Sequence, residues 1–223
     1  MIFFYTIIPA ILLSLYAQYK VRSAYSKYSR IASSSHMTGA EVARRILDTN
    51  GLFDIRVEEV RGQLSDHYDP QAKVVRLSTD NYHGTSLAGT AIAAHEVGHA
   101  IQDSEGYAFL RFRHALVPVA NFGSKAAFPL ILAGLIFSQF QSLLLLGIVF
   151  FSAAVLFQII TLPVEFNASS RAMQLVVAQG FIRNEEERGT RKVLDAAALT
   201  YVAAAAAAVL ELVRLIYIYR SSN

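Results

Sequence analysis

Four long apolar stretches constrain this chain more than any other feature. A hydrocarbon core of about 30 Å needs roughly 20 apolar residues to cross it as a helix, and few soluble folds can hide so many stretches of that length. The first, Ile2 to Tyr19, has no charged side chain and is followed at once by Lys20, Arg22, Lys27 and Arg30. It lacks a basic segment before it and a small-residue cleavage site after it, so it is expected to be an uncleaved anchor with its N-terminus outside. The second and third, Leu116 to Phe137 and Leu143 to Leu162, are separated by the short uncharged linker Ser138 to Ser142, which predicts a helical hairpin. Arg111 and Arg113 before it and Arg171 after it mark the ends expected in the cytoplasm. Lys125 interrupts the second stretch. The fourth, Ala196 to Tyr219, carries Glu211 and Arg214, which stand one helical turn apart and can pair.

Composition agrees with a lipid-facing chain. Of 223 residues, 54% are hydrophobic, and the mean hydropathy is +0.37. The net charge of +3 comes from basic residues lying largely beside apolar segments, so membrane topology explains it and nucleic acid is not an expected partner. With no cysteine, disulfide scaffolds and thiolate metal sites are excluded, and any metal must be held by His, Asp or Glu.

The organisation expected is an anchor over residues 1–22, a polar folded segment over 23–113, the hairpin over 114–163, a second polar segment over 164–195 and a membrane-associated helix over 196–223. Thr38 and Glu41 have capping-box spacing, Val42, Ile46 and Leu47 form a helical stripe, and Gly51 suits the stop. Ile55 to Val60 and Lys73 to Leu77 read as strands with a turn at Asp69-Pro70, and residues 80–84 read as a loop. Thr85 or Ser86 then caps a long Ala-rich helix.

That helix contains Ala94-His95-Glu96-Val97-Gly98-His99, an H-E-x-x-H pattern. Residues i and i+4 share a helix face about 6 Å apart along the axis, so both imidazoles can converge on one zinc ion. Glu96, beside the first ligand, is placed to act as general base. With 6 His and 10 Glu in the chain, composition alone gives about 0.007 such patterns. A third ligand must come from elsewhere. Glu165, after Pro163 at the inner end of the third apolar stretch, is a carboxylate that needs a partner, and two metal-bound histidines would supply it. Pairing with Arg171 is the plainer alternative. Of the other histidines, His67 is the one kept as a candidate substrate-site residue.

These residues carry a resemblance. Val75-Arg76-Leu77-Ser78, Ala91 to Gln102 around the motif, and Glu165-Phe166-Asn167-Ala168-Ser169 resemble the YugP-like neutral zinc metallopeptidases of bacteria, over most of the chain. More distantly, the arrangement looks like the HtpX-type membrane metallopeptidases. The resemblance implies a mainly α membrane protein with a zincin-like domain, a small β-sheet and about four membrane-associated helices. It implies one Zn2+ per chain on His95, His99 and Glu165, with Glu96 catalytic, and a protein or peptide substrate, including unfolded or membrane proteins. In the HtpX-type relatives an aspartate stands four residues beyond the third ligand. Ser169 occupies that position here, and Asp103, one turn after His99, is a candidate substitute; Asn167 is another residue expected near the ligands. The strand through Val75 is expected to be an edge strand that aligns extended substrate. Two rival readings remain: a site-2-type intramembrane protease whose third ligand is a later aspartate such as Asp195, and a non-catalytic zinc-binding membrane scaffold.

Overall fold

The computed structural model describes residues 2–137 and 140–221, so Ser138 and Gln139 of the expected linker lie outside the described residues. It is mainly helical, with seven helices and three strands among the described residues. The chain divides into two units.

The first unit comprises Met1–Gln18, Ala108–Pro163 and Thr200–Asn223. Its substance is long helix: the start of α1 (Ile2–Tyr28), α5 (Ala108–Ile136), most of the apolar length of α6 (Gln141–Ala178) and the end of α7 (Asn184–Ser221). These four helices are long and apolar enough to cross a membrane. Large apolar side chains point away from the protein, with Tyr5 and Phe128 each 72% exposed and Phe122 65% exposed. In water such a surface would drive aggregation, whereas in lipid it costs nothing. Attraction between helices in lipid therefore relies on close packing. Gly134 supplies it, since a Cβ there would meet the backbone nitrogen of Leu144 at 2.5 Å. Arg214 pairs with Glu211 within α7, as their spacing suggests, with Nε donating to Oε2 at 2.8 Å.

The second unit, Tyr19–Tyr107 with Val164–Leu199, holds the polar chemistry. Helix α2 (Gly39–Thr49) begins with the capping box: Thr38 accepts from the Glu41 amide and Glu41 accepts from the Thr38 amide. Both amides are otherwise orphaned at a helix start, so the pair fixes where the helix begins. Its buried face, Val42, Ala43, Ile46 and Leu47, joins one core with Val75, Leu77, Leu87, Ala88 and Ala91.

The sheet has the order β1 (Arg56–Val60), β3 (Val74–Ser78), β2 (His67–Asp69), with β1 parallel and β2 antiparallel to β3. This corrects one expectation. The strand carrying Val75 is central and paired on both sides, and Val75 is fully buried, so it cannot accept a substrate strand. A buried central strand reads as a nearly continuous apolar run, which accounts for Val74 and Val75 both facing protein. Residues 80–83, expected in a loop, belong instead to the short helix α3 (Thr79–His83). Asp66 fixes this corner, accepting from the Ser78 amide at 2.7 Å and from Asn81 Nδ2 at 3.1 Å. Helix α4 (Leu87–Ser104) then starts on Ser86, whose hydroxyl accepts from the Gly89 amide at 3.0 Å. Small residues let α4 run through the core: from Leu87 to Gln102 only Ile92 is not buried.

A candidate metal centre

Two elements build the site, α4 and the Val164–Ala178 part of α6, and a glycine lets them meet. At Gly98, inside the motif, a Cβ would lie 2.9 Å from the carbonyl oxygen of Ala168 and 3.3 Å from its Cα. Without that side chain the two backbones approach closely, and Glu165, one turn before Ala168, faces the histidine pair.

The result is a buried group of His95, His99 and Glu165, with one ligand atom from each lying within 4.8 Å of the others. Glu165 Oε2 stands 3.3 Å from His95 Nε2 and 3.5 Å from His99 Nε2. The donors fit zinc. Ligands at about 2.0–2.1 Å in tetrahedral array lie about 3.3–3.4 Å from one another, close to the two separations found. Glu165 is only 1% exposed. A buried carboxylate facing two imidazoles needs positive charge, from a proton or a metal. In this metal-free arrangement burial opposes a charge on His99, but the carboxylates of Glu165 and Glu96 outweigh it and raise its pKa. Arg171, the alternative partner for Glu165, is engaged elsewhere, with Asn167 Oδ1 at 2.8 Å and Glu105 Oε2 at 2.6 Å.

The ring orientations are set from behind. His99 Nδ1 lies 3.1 Å from Gln102 Oε1, and Gln102 Nε2 donates to the Val164 carbonyl at 2.9 Å and to Asn167 Oδ1 at 2.9 Å. A carbonyl can only accept, so the amide is oriented with Oε1 toward His99, and Nδ1 must carry the proton. Without metal, His99 Nε2 carries a second proton toward Glu165; when that proton leaves, Nε2 is the nitrogen with a lone pair for a metal. His95 Nδ1 lies 3.2 Å from Ser169 Oγ, which can accept its proton in the same sense. Glu96 is 9% exposed, and its carboxylate has no hydrogen-bond or ion-pair partner among the described residues.

Of the remaining candidates, Asn167 lies behind His99 through Gln102. Asp103 accepts from Tyr68 Oη at 2.8 Å and Lys73 Nζ at 2.9 Å, tying α4 to the sheet. Burial and this carboxylate push the Tyr68 hydroxyl pKa up. His67 is exposed on β2, its Nδ1 2.8 Å from the Ser65 carbonyl, and it is not a member of the metal-capable group. Asp195 is not a member either; it lines a separate cavity with Lys20, Lys27 and Lys192. Gln102 was missed as a site residue. Its signal was an uncharged polar residue three positions after His99, within hydrogen-bond reach on the same helix.

Two buried histidines on α4 and a glutamate on α6, itself one of four apolar membrane-length helices, define a membrane protein with a candidate metal centre of the zinc-peptidase kind. The chain belongs to the family described as "Putative neutral zinc metallopeptidase", whose family model matches residues 3–220. It is 56% identical over 219 residues to the "Putative membrane protease YugP" of Bacillus subtilis, covering 98% of this chain and 97% of that one. No solved structure matches it.

Proposed function

We propose that this protein is a membrane-bound zinc endopeptidase, with His95, His99 and Glu165 as metal ligands and Glu96 as general base. The observation that carries the proposal is Glu165 Oε2 standing at zinc-ligand spacing from both His95 Nε2 and His99 Nε2, beside an uncommitted carboxylate. Zinc bound there supplies a Lewis acid that polarises a peptide carbonyl and acidifies water toward a pKa of about 7. Glu96 takes the proton of the attacking water on a carboxylate oxygen and delivers it to the departing amine nitrogen. Gln102 and Ser169 hold the two rings in the tautomer that leaves Nε2 able to bind metal.

In this reading residues 23–113 and 164–195 carry the chemistry, while 1–22, 114–163 and 196–223 anchor the chain. The basic residues after the first apolar stretch and flanking the hairpin put the catalytic segment on the cytoplasmic side. Unfolded and membrane proteins are the substrates this placement suits, which makes membrane-protein quality control the matching role.

The direct test is zinc content together with hydrolysis of a generic unfolded protein. One zinc per chain is expected, with cleavage lost on chelation and restored by zinc. Metal-free protein of normal fold that cleaves as well as the loaded form would overturn the proposal. Zinc must displace the proton that the raised pKa holds on His99, so apparent affinity should fall with pH from above the ordinary imidazole value of about 6.5. The opposite sign holds without metal. The protonated His99–Glu165 pair stabilises the apo fold at low pH, and that contribution is lost as pH rises through the raised pKa of His99.

Gln102→Leu keeps the buried volume but removes the acceptor for His99 Nδ1–H and the donor to the Val164 carbonyl. Zinc affinity should drop about 10–100-fold, and stability by about 1–3 kcal/mol from the buried His99 Nδ1–H left without an acceptor. Isothermal titration and thermal melting check the two effects separately. Unchanged zinc affinity would remove Gln102 from the site.

A further inference from the structure

Helix α1 and the first half of α7 line a half-open cavity of about 360 Å³, with Lys20, Lys27, Lys192, Asp195, Ala196 and Leu199 among its residues. All of these residues belong to the second unit. We infer that this cavity binds the phosphate headgroup of an anionic phospholipid.

The charge pattern is the first reason. Lys20 and Lys27 are seven residues apart, two helical turns, and so share one face of α1; Lys192 faces them from α7. The lining holds three lysines and one carboxylate, Asp195, so it carries a net charge of +2. Lys192 and Asp195 make no ion pair with each other or with other described residues. Lys27 Nζ lies 5.5 Å from the Tyr28 ring centroid, a contact that leaves hydrogen-bond donors for an anion.

The level along the chain is the second. Lys20 is the first charge after the uncharged run 2–19, and Asp195 is the last before the apolar run that begins at Ala196. Both helices therefore change from apolar to charged at this cavity, the level at which headgroups meet a hydrocarbon core. Ala24, Tyr28, Ala196 and Leu199 give it an apolar side suited to the glycerol and first acyl carbons.

Rigidity is the third. A Cβ at Gly189 would meet Tyr28 Cε1 at 2.8 Å, so α1 and α7 are packed tightly one turn from Lys192. The lysines project from a fixed frame, so ordering on binding is confined to their side chains.

The test titrates phosphatidylglycerol against the zinc-loaded full chain in a neutral detergent, with bound lipid read by native mass spectrometry. Wild type should bind one phosphatidylglycerol at least about tenfold more tightly than phosphatidylcholine. Exchanging Lys20, Lys27 and Lys192 together for Gln should remove that preference, a loss of at least about tenfold. A charge-matched control, Arg45, Arg61 and Arg188 to Gln, should leave it within twofold. Asp195→Asn, which removes the only carboxylate, should tighten binding several-fold, an outcome that misfolding cannot mimic. Equal losses in both triple variants, no preference in wild type, weakened binding in the Asp195 variant, or displacement by millimolar inorganic phosphate would each overturn the assignment. Zinc content, unchanged in all these variants, keeps this result separate from the peptidase reading.

Discussion

Glu96→Gln should retain one zinc per chain while losing cleavage by roughly 10²–10⁴-fold. The amide is nearly isosteric with the carboxylate, so α4 has no reason to repack, and His95 and His99 keep their supports from Ser169 and Gln102. What disappears is a basic oxygen able to accept a proton and later return it. Because a carboxylate near His99 also raises that ring's pKa, the same exchange should ease displacement of the proton by zinc. Metal affinity near neutral pH should therefore hold or rise slightly while turnover collapses. A variant that keeps both zinc and turnover would rule out Glu96 as the base. Zinc quantification beside single-turnover cleavage of an unfolded substrate makes the distinction.

Glu165→Ala should lower zinc affinity by on the order of 10²–10³. Sharing the roughly 10–16 kcal/mol of a four-ligand zinc site equally among its ligands gives about 2.5–4 kcal/mol for each. In the metal-free protein the same exchange leaves the buried imidazoles facing no carboxylate, so the pKa of His99 should fall as burial regains control. Asp195→Asn, by contrast, should hold its zinc, since Asp195 lies outside the metal-capable group. The reverse outcome, zinc lost from the Asp195 variant and kept in the Glu165 variant, would favour the site-2-type arrangement. Competition with a chelating dye reads both.

Local signals in the sequence were reliable where the physics is local. The capping box at Thr38, the Ser86 cap, the H-E-x-x-H face and the Glu211–Arg214 pair depend on residues three or four positions apart, and the structure contains each. Strand order depends on pairing between segments far apart, and nothing in Lys73 to Leu77 states how many neighbours it has. The apolar doublet Val74-Val75 indicates only that both faces of the strand are covered. Strand β2 has three residues, too few for an alternating pattern to emerge. Gln102 escaped notice because what fixes its orientation, donation to the Val164 carbonyl, reaches a residue more than 60 positions away. Asp103 has the right spacing to follow His99 on the helix, but its recorded bonds go to Tyr68 and Lys73 on the sheet side.

The absence of a side chain at Gly98 also bears on how long a captured ion stays. Two ligands sit on one helix and the third on another, with main chains nearly touching, so escape demands that whole helices part rather than that a loop swing aside. Exchange with free isotope should accordingly be slow and steeply temperature dependent, and the protein should behave as a reservoir that seldom trades its metal with the surroundings.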